Sequence, residues 1–278
     1  MPELPEVETM VRGIRRDCSG RMIRKVEFVR ASRRPIQVTP ERKDIRKLAE
    51  GRELTNVCRI AKRVVLVLDS AYAFVVEPRM TGLMLISDPP TQDHRRVVWH
   101  FAPVDQQTDA LEFWDRRGLG TVSLLSPDQL ESLRNRFGPD ALAIDQVDLH
   151  LRLKKTSRAI KVALLDQSLV AGIGNLYASE ILHHAGISPR RRASSLTKVE
   201  VARLVESTHF ILNEAIRYEG STLGDGTYRN ALSKDGGYQN HHRVYQRAGE
   251  ICPACGDGMI QRIVQTQRSS FFCPNCQR

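Results

Sequence analysis

The sequence lacks any run near the ~18 consecutive apolar residues that a membrane-spanning helix needs, so no membrane association is expected. It lacks the basic-then-apolar opening of a secretory signal, so a cytoplasmic protein is expected. It contains no internal repeat and no low-complexity tract. Cysteine is scarce outside the C-terminal segment: Cys18 and Cys58 stand alone, as small buried residues do, and no disulfide framework is indicated. Acidic residues are short, with 32 Asp and Glu against 42 Lys and Arg, a net charge of +10 and a pI near 9.6. A basic, soluble chain of this kind favours a polyanionic partner, nucleic acid first.

What is present suits two domains, or one large and one small: 278 residues, 41% of them hydrophobic. The chain starts Met1-Pro-Glu-Leu-Pro-Glu-Val-Glu8. If Met1 is removed, Pro2 carries a secondary amine. A terminal amine has a pKa of roughly 7.7–8.0, so part of it is unprotonated near neutrality and able to form a Schiff base. Glu3 beside it can move protons. The same residues also read simply as a helix start, with Pro5 in the first turn and glutamates at its positive end. Val7, Met10, Val11 and Ile14 then follow helical spacing.

From about residue 22 to 125 the period changes to two or to short apolar runs. Strands are expected at Ile23–Val29, Val64–Leu68, Ala73–Val76, Leu83–Ile86, Val97–Phe101, Ala110–Trp114 and Thr121–Leu125. Such spacing predicts an antiparallel sandwich or barrel. Residues 126–150 read as a helical and loop connection. Helical patterns follow to about 218, with helices at Leu176–Ala185 and from Leu196 to about Tyr218. Residues 219–242, rich in Gly, Ser, Asp and Asn, read as a long loop.

Cys252-Pro-Ala-Cys255 and Cys273-Pro-Asn-Cys276 enclose 17 residues. Four thiolates suit a closed tetrahedral zinc site stabilising a small hairpin. Redox-active pairs are the alternative, but they accompany a βαβ pattern that is missing here. Arg268, between the pairs, is a candidate groove or phosphate contact. Gly172-Ile-Gly174-Asn175 reads either as a tight turn with a helix start or as a phosphate-binding helix terminus. Lys161, on the preceding helical segment, is a second candidate phosphate contact.

Together these segments resemble the formamidopyrimidine-DNA glycosylase family of bacterial base-excision repair enzymes, over essentially the whole chain. The resemblance rests on Pro2-Glu-Leu-Pro-Glu-Val-Glu8, on Leu165-Asp-Gln167 with Val170-Ala-Gly-Ile-Gly-Asn-Leu-Tyr177, on Arg247-Ala-Gly-Glu-Ile-Cys252 and on the cysteine pairs. It implies an α+β fold: an N-terminal helix plus antiparallel β-sandwich, then a helical helix-two-turn-helix domain with a β-hairpin zinc finger. The expected segments are a catalytic domain over 1–126, a linker over 127–150, the helix-two-turn-helix domain over 151–243 and the finger over 244–278. It further implies excision of oxidised purines from double-stranded DNA and cleavage of the resulting abasic site, by a monomer associated with the nucleoid.

By that resemblance Pro2 is the nucleophile, Glu3 the proton carrier, and Lys62 a catalytic lysine at a turn before Val64–Leu68. Arg268 acts at a phosphate and in the second elimination. Asn175 and Lys161 match phosphate-binding positions. Met80 and Arg117 match residues that fill the gap left by an extruded base, Arg117 facing the orphaned cytosine. Arg96 stands where a DNA-contacting histidine is common. Zn2+ is the implied cofactor, held by Cys252, Cys255, Cys273 and Cys276.

The chain also departs from the pattern. Leu119 replaces a wedge phenylalanine, Gly118 replaces a second arginine, and Glu77 stands where histidine is frequent. The zinc pairs enclose one residue more than is common, so a displaced Arg268 is expected. The loop around Thr222–Tyr238, implicated in covering the extruded base, differs too. Two alternatives stay open. An endonuclease VIII-like enzyme for oxidised pyrimidines is disfavoured by Leu4, where that branch has glycine. A non-catalytic DNA-binding paralogue is disfavoured by intact Pro2, Glu3 and Lys62.

Overall fold

A computed structural model of the chain describes residues 2–30, 34–105, 107–224 and 226–278. The chain forms two compact units, neither contiguous in sequence. The first comprises Met1–Asn135 with Tyr218–Gln239, the second Arg136–Arg217 with Asn240–Arg278.

In the first unit, helix α1 (Leu4–Cys18) is followed by β1 (Arg21–Phe28), β2 (Gln37–Thr39), α2 (Arg42–Ala49), β3 (Glu53–Ile60) and β4 (Arg63–Leu68). Then come β5 (Ala73–Glu77), β6 (Gly82–Leu85), β7 (Arg95–Phe101), β8 (Ala110–Asp115), β9 (Thr121–Leu125) and α3 (Pro127–Arg134). The strands form one ladder in the order β2-β9-β5-β4-β3-β1-β7-β8-β6. Strand β1 is its corner: Arg21 and Met22 pair with β3. From Ile23 to Phe28, β1 pairs with β7, with a register irregularity between Ile23 and Lys25. Such an irregularity bends a strand and lets it pass from one sheet to another.

The two halves share one core. Val64, Leu66, Phe74, Val76, Val122 and Leu124 from one half join Leu83, Val97, Trp99, Phe101, Leu111 and Phe113 from the other. Phe74 and Trp99 meet edge to face, their centroids 5.4 Å apart. The sandwich is therefore present, antiparallel throughout except for the edge pair β2–β9, which is parallel.

Val7, Met10, Val11 and Ile14 are fully buried on the inner face of α1, as their spacing predicts. Three elements differ from the sequence expectation. Strand β3 escapes the pattern because its buried residues, Leu54, Val57 and Ile60, recur every three positions; a register shift between Leu54 and Asn56 breaks the two-residue period. Helix α2 buries only Ile45 and Ala49 among many charges, too little apolar pattern to read. Strand β2 has three residues, too few for any period to show.

The segment 218–239 returns to this unit. A Cβ on Gly13 of α1 would lie 2.6 Å from the Ala231 Cβ, so only glycine lets the segment sit there. The Ile86 N–H donates to the Ala231 carbonyl at 3.0 Å.

The second unit holds α4 (Gln146–Lys154), α5 (Ile160–Leu164), α6 (Asn175–His184), α7 (Lys198–Arg217) and a hairpin of β10 (Gln261–Gln265) and β11 (Arg268–Phe272). The Glu180 carboxylate of α6 is fully buried. It accepts from the backbone N–H groups of Arg243, Val244 and Tyr245 at 2.8–3.0 Å, fastening the chain that enters the hairpin.

Trp99 bridges the two halves of the sandwich. Trp99→Ala is expected to lower the unfolding free energy by about 3–5 kcal/mol. Urea denaturation checks this, and a loss below about 1 kcal/mol would contradict a shared core.

Candidate active site and metal centre

Glu3 is the N-cap of α1, with Pro5 in its first turn. Pro2 is buried, as are Glu3 at 5% exposure and Glu6 at 3%. The Glu3 N–H donates to Glu6 Oε2 at 2.9 Å. The other oxygen, Glu6 Oε1, accepts the Ser221 N–H at 2.9 Å. One buried carboxylate thus fixes the backbone beside Pro2 and anchors segment 218–239. Glu3 and Glu6 both sit where the helix end is positive, which favours carboxylates. Glu6 has no role in the sequence reading; its signal was its three-residue spacing from Glu3, that of a reciprocal helix cap.

Lys62 occupies the turn between β3 and β4, half-buried. The neighbouring Ala61 has φ +53°. Arg59 holds this turn to α1: its Nε donates to Glu8 Oε2 at 2.9 Å and its Nη1 to the Ala61 carbonyl at 2.9 Å. Glu8 also takes Arg12 Nε at 2.9 Å. Burial pushes the Glu8 carboxyl up, but the hydrogen bonds and charges of Arg59 and Arg12 outweigh it and hold the pKa below its ordinary value.

A second group surrounds Asp115. Thr81 donates to Asp115 Oδ1, as does the Arg117 N–H at 3.2 Å. The Gly120 N–H donates to Oδ2 at 2.8 Å. The turn bearing Met80 and the loop bearing Arg117 and Leu119 are therefore tied together. Met80 is 38% exposed and Arg117 is exposed. With Pro35, Ile36 and Leu119, Met80 lines a shallow cavity of about 540 Å³.

Gly118 has φ +61°, and a Cβ there would collide with the Arg34 carbonyl oxygen; this accounts for glycine in place of an arginine. Glu77 pairs with Arg63 at 3.0 Å and Arg79 at 3.1 Å. Arg96 is not at the surface. It is 3% exposed and its Nε donates to the Asp115 carbonyl at 2.9 Å, so it supports the Arg117 loop from within. Burial lowers its pKa from the ordinary arginine value.

In the second unit, Asn175 is the first residue of α6, after an N-cap at Gly174. Its Oδ1 is buried without a hydrogen-bond partner. Gln167 moulds the preceding turn: Nε2 donates to the Leu165 and Ile173 carbonyls and Oε1 accepts the Gly172 N–H, each at 3.0 Å. Gly172 has φ +107°, open to glycine but costly for other residues. Lys161 is 1% exposed; its Nζ donates to the Ser269 carbonyl at 2.8 Å and Ser270 Oγ at 2.9 Å. It braces β11, the strand that begins with Arg268. Thr266 and Gln267 both have positive φ, the two-residue turn typical of a tight hairpin, and Arg268 is exposed just beyond it.

Cys252, Cys255, Cys273 and Cys276 bring their four sulfurs within 4.8 Å of one another. The Cys252–Cys276 and Cys255–Cys273 separations are 3.7 and 3.8 Å. A tetrahedron with metal–sulfur bonds of about 2.3 Å has edges of about 3.8 Å, so the donor set fits zinc in size and chemistry. His183 Nε2 lies 3.2 Å from Cys252 Sγ, suited to donate an N–H to a thiolate. Burial pushes Cys18 up to about 12 and raises Cys58, consistent with unreactive thiols.

Comparison with known proteins gives the family. Residues 1–122 match the formamidopyrimidine-DNA glycosylase N-terminal domain. Residues 137–226 match its H2TH domain, and residues 249–278 the zinc finger found in FPG and IleRS. Sandwich, helix-two-turn-helix unit and four-cysteine finger define a DNA-repair glycosylase. Formamidopyrimidine-DNA glycosylases of Chloroflexus aurantiacus and Paracoccus denitrificans are each 39% identical, covering all of this chain and 98% and 100% of theirs. The crystal structure of the MutM (Fpg) protein from Thermus thermophilus is 36% identical, with a TM-score of 0.84 over 99% of this chain and 98% of that one. Lactococcus lactis Fpg in complex with abasic-site DNA is 31% identical, with a TM-score of 0.86 over 99% of each chain. The chain belongs to the formamidopyrimidine-DNA glycosylase family.

The depressed pKa of Glu8 predicts an acid-sensitive tie. Its contribution is full above the unfolded-state value near 4.5 and is lost as pH falls through the lower folded value. Glu8→Gln should therefore flatten the loss of stability below pH about 4.5. Thermal melts from pH about 3 to about 7 check this; an unchanged acid limb would contradict the assignment.

Proposed function

We propose that this glycosylase is bifunctional. It excises oxidised purines, 8-oxoguanine and formamidopyrimidines, from double-stranded DNA and then cleaves the abasic site. The carrying observation is the buried Pro2–Glu3 pair at the positive end of α1, its backbone fixed by the Glu6 carboxylate.

Once Met1 is removed, the Pro2 amine attacks C1′ of an extruded nucleotide, and the bond from C1′ to the base breaks. Glu3 delivers and recovers protons as the base leaves and the sugar ring opens. Loss of the ring oxygen from C1′ gives an iminium between Pro2 and C1′, which makes the C2′ proton acidic. β-Elimination then expels the 3′ phosphate and δ-elimination the 5′ phosphate, leaving a one-nucleotide gap. Lys62 serves the same site, held by the Arg59–Glu8 tie.

Asn175, at a helix N-terminus with an unpaired Oδ1, and the exposed Arg268 bind phosphates. Met80 and Leu119 fill the space of the extruded base while Arg117 faces the orphaned cytosine. The lysine and arginine proposed from sequence as direct DNA contacts, Lys161 and Arg96, act instead through β11 and the Arg117 loop. One structural zinc holds the finger. Complexes of the Lactococcus lactis relative with abasic-site DNA support the reading. A cytoplasmic monomer acting on chromosomal DNA completes it, with the segments 1–126, 127–150, 151–243 and 244–278 as its working parts.

Borohydride trapping on duplexes bearing 8-oxoguanine, an oxidised pyrimidine or an abasic site tests the reaction. Covalent adducts are expected with the first and third, and no adduct with any of the three would refute it. Glu3→Gln should slow base excision about 10²–10⁴-fold; undiminished excision would overturn the role of Glu3. Removing zinc should weaken duplex binding in a filter or anisotropy assay, because the hairpin has little core of its own. Equal affinity in verified metal-free protein would contradict that.

A further inference from the structure

Arg116 precedes Arg117 in the loop after β8, yet it serves another contact. Its Nη2 donates to Thr227 Oγ1 at 2.8 Å. Thr227 is only 5% exposed and lies in segment 218–239. That segment is also held at its start, where the Ser221 N–H donates to Glu6 Oε1 at 2.9 Å. Within it, Thr222 Oγ1 donates to the Tyr228 carbonyl at 2.8 Å and accepts the Gly236 N–H at 2.8 Å. The described residues of the segment thus form a self-bonded strap, held to the Pro2–Glu3 helix at Ser221 and to the Arg117 loop at Thr227. The loop end is stiff as well, because Asp115 accepts from Thr81, Arg117 and Gly120.

We propose that Arg116 is a positioning residue that couples the base opposite the lesion to closure of the strap that bears Thr227. The inference rests on the functional reading above, in which Arg117 faces the orphaned base. Arg116 and Arg117 share a peptide bond, and Asp115 holds the Arg117 N–H. A base that fits Arg117 leaves the Arg116–Thr227 bond intact and the strap docked. A base that pushes Arg117 away moves the Arg116 backbone with it, lengthens that bond and loosens the strap. Discrimination between opposite bases is therefore read partly at Thr227, away from the base itself.

The test uses the full-length zinc-loaded protein with Arg116→Met, Thr227→Val, their combination, and Thr227→Ser, which keeps the acceptor. The readouts are the ratio of 8-oxoguanine excision opposite cytosine to that opposite adenine, and amide hydrogen exchange around Thr227 in the free protein. A hydrogen bond worth about 1 kcal/mol corresponds to about a fivefold change. Arg116→Met and Thr227→Val should each shrink the excision ratio about fivefold and speed exchange about fivefold. The double variant should do no more than either single one, and Thr227→Ser should match the unmodified chain. Unchanged exchange in both single variants, or faster exchange with an unchanged ratio, overturns the coupling. If the unmodified chain forms no borohydride adduct on abasic-site DNA, the functional reading fails, and the coupling of excision to the opposite base falls with it. A normal adduct with an unchanged excision ratio sinks the coupling alone.

Discussion

A carboxylate taken out of water must find donors or become very costly. Glu6 is such a group, 3% exposed, and its two oxygens take the Glu3 and Ser221 N–H groups. Charge-assisted bonds of this kind are short and strong. They set where the chain start lies against α1 and bring a segment more than two hundred residues away back to it. Glu8, on the same helix, makes the complementary tie through Arg59 to the turn that carries Lys62. Helix α1 therefore does more than plug the sandwich; its acidic residues fix the backbone beside Pro2 and tie down the turn that carries Lys62.

The second unit solves a different problem. A two-stranded hairpin is marginal by itself, and its apolar cluster is small: Val244, Cys252, Ile260, Phe271 and Cys273. The four clustered cysteine sulfurs are suited to compensate by holding a metal ion that would cross-link the two ends of the hairpin. Buried polar contacts then fix the hairpin to the helices. Lys161 reaches Ser269 and Ser270, Gln265 reaches the Pro189 carbonyl at 3.1 Å, and Glu180 gathers three N–H groups. Arg268, exposed, begins the strand that Lys161 braces.

Local pattern makes much of this legible in the sequence. The stripe on α1, the cysteine spacing and the apolar runs of β4, β5, β7, β8 and β9 are local features, readable in one stretch. The remainder depends on distant partners. Strand β3 hides behind a bulge, and α2 behind its charges. Lys161 and Arg96 resemble surface cations until Ser269, Ser270 and the Asp115 carbonyl are seen around them. Gly118 looks like the loss of an arginine, but its positive φ and the Arg34 carbonyl demand it. The glycine-rich composition of 219–242 announces a loop and says nothing of Glu6 or Arg116, which hold it. Pro2, Glu3 and Lys62 take their meaning from family resemblance, since their local sequence equally describes a helix start and a turn.

In the proposed reaction the amine of Pro2 performs the chemistry. The most direct test is peptide mapping, by mass spectrometry, of the adduct reduced by borohydride on abasic-site DNA. The sugar remnant is expected on the amine of an N-terminal Pro2, with Met1 absent. A remnant on Lys62 or any other lysine, with Pro2 unmodified, would contradict it.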